Sequence, residues 1–240
     1  MTTLFISDLH LSDERENITA LFIKFLDQRA SHADALYILG DLFEVWMGDD
    51  FIHPSYQQSI SKMKQLSDDG LAIYVMHGNR DFLMTEEFSV LSGSTLIQDP
   101  YIIDLYGTPT LLMHGDTLCI DDIDYQKFRT MVRNPSFIEN FLSTPIEERL
   151  AIATKYREAS KTETASKAMD IMDVNQDAVE QAMYDLNITQ LIHGHTHRPA
   201  IHDFISNDNK MKRIVLGDWY EKGSVLSCDE SGCQLESIEP

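Results

Sequence analysis

Five apolar runs in this chain stop at a residue able to bind a metal. Leu4-Phe5-Ile6-Ser7 ends in Asp8-Leu9-His10, and Ala35 to Leu39 ends in Gly40-Asp41. Ala72 to Met76 ends in His77-Gly78-Asn79-Arg80-Asp81, and Thr110 to Met113 ends in His114-Gly115-Asp116. Gln190-Leu191-Ile192 ends in His193-Gly194-His195-Thr196-His197. Short apolar runs bounded in this way read as buried strands. A chain with this pattern has to gather its strand ends in one place, where carboxylates, an amide and imidazoles converge. Asp41 is the candidate for a shared ligand, because a carboxylate has two oxygens and can bridge two cations. The glycine before it leaves room at its side.

The segments between these runs suggest the fold class. Ile18 to Ala30 has the spacing of an amphipathic helix, with Ile18, Leu21, Phe22, Phe25 and Leu26 on one face. Ser55 to Asp69 reads as a more polar helix stopped by Gly70, and Thr85 opens a short one closed by Gly93. Two apolar runs flank Tyr106-Gly107-Thr108-Pro109, which predicts a hairpin and hence a mixed sheet. Ile171 to Leu186 reads as helix, and late strands with tight turns follow at Ile214–Leu216, Gly223–Ser227 and Gly232–Leu235. The class is α/β, with mixed sheet flanked by helices. On the strand pattern Asp8 and His10 share one side of an extended chain, and so do His195 and His197.

From about 121 to 168 the strand pattern is absent. Asp124–Arg133, Ser136–Leu142 and Ile146–Ser160 read as three helices separated by Pro135 and Pro145. We expect one domain over residues 1–240, with this segment as a helical cap inserted over the site. From Tyr125 to Lys167 eight basic residues stand against five acidic ones, a surplus of three on a chain of formal charge −20. Such a surplus fits solvated helix faces, an anionic substrate tail or an anionic lipid surface. Phe128, Met131, Val132, Phe137, Phe141, Leu142, Ile146, Leu150, Ile152 and Ala153 are available to line an apolar groove in the cap.

Composition excludes several classes. The net charge leaves no basic surplus for a general nucleic-acid binder. No stretch approaches the roughly 18 apolar residues of a membrane span, and Met1 leads directly into a strand. Cys119, Cys228 and Cys233 form neither a Cys-X-X-Cys pair nor an even framework, so free thiols in a reducing compartment are expected. These readings predict a cytoplasmic or peripheral protein. Nothing calls for an obligate protein partner.

Taken in order, Asp-X-His, Gly-Asp, Gly-Asn-Arg-Asp, His-Gly-Asp and Gly-His-Thr-His resemble the calcineurin-like binuclear metallophosphoesterase superfamily over most of the chain. The resemblance implies two mixed β-sheets sandwiched between helices. It implies that Asp8, His10, Asp41 and His197 hold one metal, and that Asp41, Asn79, His114 and His195 hold the other. Oxygen and imidazole donors without thiolate suit Mn²⁺, with Fe²⁺, Zn²⁺ or Mg²⁺ possible. His77 and His193 adjoin these motifs and are candidates to support the ligands; His32, His53 and His202 read as structural or surface residues.

One departure from the superfamily pattern is informative. Histidine usually follows Gly-Asn, where it can protonate a leaving group; here the residue is Arg80. Arginine stays charged and cannot act as a general acid, yet it can grip phosphate oxygens. A leaving phosphate needs no proton, so Arg80 favours diphosphate cleavage. Longer matches, such as Leu39-Gly40-Asp41-Leu42-Phe43-Glu44-Val45-Trp46, His77-Gly78-Asn79-Arg80-Asp81-Phe82-Leu83 and His193-Gly194-His195-Thr196-His197-Arg198-Pro199, resemble the UDP-2,3-diacylglucosamine pyrophosphohydrolases of lipid A synthesis. That resemblance implies a phosphorus-anhydride hydrolase with UDP-diacylglucosamine as substrate and a lipid phosphate and UMP as products. It also implies peripheral docking on the cytoplasmic face of the inner membrane. Asp41, Asn79, Arg80 and His195 become the catalytic candidates. Asn79, Arg80, Asp122, Tyr125, Arg157, Ser160, Thr164, Lys167 and His195 become the substrate-contact candidates. At position 164 the chain has threonine where the family leads us to expect asparagine. Arg157 and Lys167 are expected to reach the sugar-phosphate half, and Arg129, Arg133 and Arg149 to meet anionic headgroups. The alternative activity is a soluble metallophosphatase or phosphodiesterase acting on a small nucleotide.

Overall fold

The computed structural model describes residues 1–166 and 173–240, with the side chains of 157–166 excepted. Three strands follow the predicted runs, β1 (Thr3–Ile6), β2 (Ala35–Leu39) and β3 (Ala72–Met76), and a short fourth that the sequence did not signal, β4 (Thr95–Ile97), joins them in parallel. A C-terminal hairpin, β10 (Gly223–Asp229) and β11 (Gly232–Ile238), adds antiparallel to β1 and completes a six-stranded sheet of order β11-β10-β1-β2-β3-β4. The second sheet starts with the expected hairpin of β5 (Tyr101–Leu105) and β6 (Thr108–Met113). It continues with β7 (Gln190–His193), β9 (Asn209–Val215) and β8 (Ala200–Ser206), in the order β5-β6-β7-β9-β8. Both sheets are mixed.

The alternation along each strand explains why two sheets form. On β2, Leu36 and Ile38 face the outer core while Tyr37 and Leu39 face the other sheet. β1 divides in the same way, with Leu4 and Ile6 outward and Phe5 inward. The inner faces meet in one apolar layer, where Phe5, Leu39, Leu112, Ile192, Ile214 and Leu226 are all buried. Helices α1 (Glu16–Gln28), α2 (Gln57–Asp68) and α3 (Glu86–Ser92) cover the first sheet through Phe22, Met63 and Phe88. Helix α7 (Gln176–Asp185) covers the second through Val179 and Met183. Truncating any of these to alanine would cost about 2–5 kcal/mol.

The three inserted helices are present as α4 (Ile123–Val132), α5 (Pro135–Leu142) and α6 (Ile146–Ser166). Pro135 sits in the first turn of α5 and Pro145 directly precedes α6, so neither helix has a proline in its interior. Several local expectations change. Helix α7 begins at Gln176, because the Asn175 side chain caps it by accepting from Ala178 N–H at 3.1 Å; residues 171–172 lie outside the described ones. Strand β8 is mostly exposed, and an edge strand without apolar alternation leaves no sequence signal. The expectation of three free thiols is corrected. The β10–β11 register places Cys228 directly opposite Cys233, 4.1 Å apart at Cα, and they form a disulfide. Only the sheet register reveals that pairing. Cys119 is buried and takes no part in a disulfide, and burial pushes its thiol up to about 12.

Candidate functional site

The C-terminal ends of β1, β2 and β3 in one sheet and of β6 and β7 in the other point into one cleft. Asp8 and His10, Asp41, Asn79, His114, and His195 and His197 therefore converge from five separate connections. Period-2 alternation is not what aims them. Asp8, His10, Asp41, His195 and His197 lie just beyond their strands, all with left-handed backbones at φ between 50° and 68°. The expected strand geometry is thus replaced by tight turns that are unfavourable for residues with a Cβ and are held by the surrounding hydrogen bonds. Asp8 N–H donates to Gly40 O at 3.1 Å and His10 N–H to Asp41 O at 2.9 Å, which locks the first two turns together. Gly78 packs so tightly on Asp41 that a Cβ there would run into the carboxylate.

The carboxylates of Asp8 and Asp41 are each held through one oxygen. Asp8 Oδ2 accepts from Ser7 Oγ–H at 2.5 Å and His195 N–H at 2.9 Å. Asp8 Oδ1 has no hydrogen bond and faces His197 Nε2 at 3.4 Å. Asp41 Oδ1 accepts from Arg80 N–H at 2.9 Å, and Oδ2 lies 3.7 Å from His10 Nε2 and 3.9 Å from His114 Nε2. Asn79 Oδ1 sits 3.1 Å from His114 Nε2 and 3.2 Å from His195 Nδ1. Both ring nitrogens of His10 are buried without a hydrogen bond. Asp8, His10 and His197 form one compact group of donor atoms, and Asp8, Asp41 and His114 another. Buried donors aimed at each other yet unsatisfied are what a divalent cation needs, and this oxygen–imidazole set fits one.

The electrostatics agree. Burial pushes the Asp41 carboxyl up, with nearby carboxylates adding to the effect against the pull of His114 and His10. Burial disfavours charge on His114 too, but Asp41, Asp116 and Asp8 overcome it and hold the ring up to about 9. His195 is driven the other way, down to about 3, by burial and by His114 beside it. A set of like and opposite charges this strained relaxes when a cation compensates the carboxylates.

Two positioning residues escape sequence reading. Asp81 is fully buried and accepts from Leu42 N–H at 2.7 Å and Gly78 N–H at 2.8 Å, tying the Asp41 and Asn79 turns together. Asp116 accepts from Tyr125 O–H at 2.8 Å and Arg129 Nε–H at 2.7 Å, docking α4 onto the site. Both are the last residues of the quoted motifs, and that place is the only signal the sequence offers. His193 is buried, donates from Nδ1 to Gly194 O at 2.9 Å and is pushed down to about 4 by burial; its Nε2 is 3.4 Å from Arg213. His77 bonds Met84 O at 2.9 Å and supports the turn after Asn79.

A groove of about 400 Å³ opens from Asn79 and Arg80 and runs between the 44–47 and 82–83 segments and the cap. Phe128, Val132, Phe137, Phe141, Ala153 and Tyr156 line its cap side, with Trp46, Met47, Phe82 and Leu83 opposite. Asp122 and Tyr125 line it together with Asn79 and Arg80, and the Tyr125 ring lies 5.8 Å from that of His195. Met131, Leu142, Ile146, Leu150 and Ile152 are outside the lining; Leu142 packs on the main core instead. Arg157, Ser160, Thr164 and Lys167 lie outside the residues whose side chains are described.

The basic cap residues have a different task from the one expected. Arg129 pairs with Asp116, and Arg133 donates to Gly78 O at 2.8 Å. Arg149 is buried and uses all its donors, on Asp50 at 2.6 and 2.7 Å and on the carbonyls of Met47, Leu142 and Thr144. These three side chains fasten the cap to the body and do not face headgroups. Arg149→Ala leaves three carbonyls without their donor. We expect about 2 kcal/mol of destabilisation and a midpoint about 5 °C lower, read by thermal unfolding.

Comparison with known proteins is consistent with this geometry. The calcineurin-like phosphoesterase family model matches residues 1–199. A Stenotrophomonas maltophilia protein named UDP-2,3-diacylglucosamine hydrolase is 49% identical over 245 residues, covering 99% of both chains. One of the same name from Escherichia coli O7:K1 is 48% identical over 98% of both. Among solved structures, an archaeal phosphodiesterase superposes with a TM-score of 0.50 at 13% identity, over 99% of this chain and 100% of its own, which is a likeness of fold.

Proposed function

The chain belongs to the calcineurin-like phosphoesterase family, and on that premise we propose that it hydrolyses UDP-2,3-diacylglucosamine at the α-phosphate. The products are UMP and 2,3-diacylglucosamine 1-phosphate, in lipid A biosynthesis. The observation that carries this reading is the continuity between the metal-ligand cluster and an apolar groove, joined through Asn79 and Arg80. The names of the relatives, matched from end to end, support the same substrate. A small soluble nucleotide would leave that apolar lining without a purpose.

Two divalent cations are assigned, with Mn²⁺ as the expected pair and Fe²⁺, Zn²⁺ or Mg²⁺ as alternatives for the same donors. Asp8, His10, Asp41 and His197 would hold one; Asp41, Asn79, His114 and His195 would hold the other. Such a pair supplies an activated water at neutral pH and compensates charge at phosphorus. The protein's own groups do the rest. Asp41, fixed through Oδ1 by the Arg80 N–H, presents Oδ2 to both positions. The His114 Nδ1–H donates to Leu39 O at 2.9 Å, which leaves Nε2 free as a donor atom. Arg80 sits at the groove's inner end, where its guanidinium can hold diphosphate oxygens as charge moves onto the leaving phosphate. Asp122 and Tyr125 face the sugar. The groove takes acyl chain, each buried methylene contributing about 0.8 kcal/mol.

Docking on the cytoplasmic face of the inner membrane is part of the proposal. Ile120, Ile123, Phe128 and Met131 are exposed around the start of the cap, an apolar rim suited to the interface where a two-chain substrate resides. No helix among the described residues is long and apolar enough to cross a membrane. The test is hydrolysis in ¹⁸O-water. Chelation is expected to stop turnover and Mn²⁺ to restore it, with the label recovered in UMP. Label in the lipid phosphate would refute attack at the α-phosphorus, and activity that survives thorough chelation would refute the metal assignment.

A further inference from the structure

The seven ligand side chains divide into two sets that differ in what stands behind them. His10 turns Nε2 toward Asp41, and its Nδ1 lies 3.3 Å from Glu44 Oε2. His197 turns Nε2 toward Asp8, and its Nδ1 lies 3.7 Å from Asp218 Oδ2. Each imidazole of this set thus stands between an inner carboxylate and an outer one. The outer carboxylates are themselves held. Arg15 Nη2 is 3.8 Å from the same Glu44 oxygen, and Asp218 Oδ1 accepts from Tyr220 N–H at 2.9 Å, leaving Oδ2 turned to the ring. The Tyr220 ring stacks on His10 with centroids 5.5 Å apart and meets His197 edge-on at 5.4 Å, so one side chain keeps both imidazoles in place.

The other set differs. His114 Nδ1–H donates to a neutral group, the Leu39 carbonyl, and His195 turns Nδ1 inward to its fellow ligand, the Asn79 amide oxygen. Asp116 is also on that side; its Oδ2 is bonded by Tyr125 O–H and Arg129 Nε–H, and its Oδ1 is buried without a hydrogen bond.

A carboxylate behind a ligating imidazole fixes its tautomer, raises its basicity and strengthens its bond to a cation. Resting on the two-metal reading above, we infer that the two positions are unequal. The Asp8–His10–Asp41–His197 position fills first and holds its ion more tightly, and Glu44 and Asp218 are its positioning residues. The Asn79–His114–His195 position, next to the groove, is the looser one. Neither residue stands out in the sequence: Glu44 lies three positions beyond Asp41, and Asp218 lies in the connection from β9 to β10. Each reaches its histidine because parallel neighbours within one sheet, β1 with β2 and β7 with β9, end side by side.

The metal-free protein is titrated with Mn²⁺ while the spectrum of the free aquo ion is followed by electron paramagnetic resonance. Wild type is expected to take up two ions in separated steps. Glu44→Gln and Asp218→Asn are each expected to weaken the tighter step by about 10–100-fold and to leave the other within about threefold. Both substitutions keep shape, and the two residues lie on separate loops. If one variant melts well below wild type without metal, the other therefore still decides. With Co²⁺ in place of Mn²⁺, the visible band of the first equivalent is expected to shift in both variants, which a purely structural role would not cause. Two indistinguishable steps in wild type, a change confined to the weaker step, or no change in either would overturn the inference. Uptake of fewer than two ions by wild type would overturn the two-metal reading itself and this inference with it.

Discussion

Asp41→Ala is expected to cut hydrolysis by at least about a thousandfold and to lower the metal content below two ions per chain. Asp41 is buried at the meeting point of both donor sets, with Oδ2 within 4 Å of His10 Nε2 and His114 Nε2. Nothing adjacent can replace it, because the Gly78 backbone packs directly against the carboxylate. The fold should survive. Burial and the neighbouring carboxylates Asp81 and Asp8 push the Asp41 carboxyl up, which means that the charged form is unfavourable in the metal-free protein. Removing it relieves that repulsion and costs the Arg80 N–H one acceptor. Metal analysis and thermal unfolding of the same preparation separate the two effects. Near-normal turnover, or a protein that no longer folds without metal, would show that Asp41 is not a bridging ligand.

Arg80→Ala is expected to lower turnover by about 10²–10³-fold with metal content unchanged. The backbone of Arg80 is structural, since its N–H orients Asp41 and its carbonyl accepts from Trp46 N–H at 3.1 Å; alanine keeps both contacts. Only the guanidinium is removed, and with it the positive charge at the inner end of the groove. Arg80→His should not recover the loss, because a leaving phosphate needs no proton while an alkoxide would. Turnover of Arg80→Ala within a few-fold of wild type would remove the guanidinium from the mechanism. A large gain by Arg80→His on phosphate monoesters would show that the arginine selects against leaving groups that need an acid.

Much of the site was legible in the sequence because its parts are local. A strand end with Asp, Asn or His needs only an apolar run and a stop, and five such stops place seven donors at five predictable points. Hydrophobic periodicity likewise marked α1, the three cap helices and the β5–β6 hairpin, whose cores and caps depend on near neighbours. Arg80 in the place of histidine already favoured a diphosphate over a monoester as the expectation, since it concerns what one side chain can and cannot protonate.

What the sequence left open depends on residues far apart in the chain. The left-handed turns at Asp8, His10, Asp41, His195 and His197 exist because backbone hydrogen bonds between different loops hold them, and no local propensity favours them. The cap arginines read as a surface charge, yet Arg149 finds Asp50 and Arg129 finds Asp116 only once the helices are docked, so their charge is spent inside the protein. The Cys228–Cys233 pair follows from a strand register, and the carboxylates behind His10 and His197 from the meeting of separate loops. The sequence by itself determined which candidate donor groups the strand ends deliver. Tertiary structure decided how each is aimed and what stands behind it, because burial and through-space charge act between residues that only the packed sheets bring together.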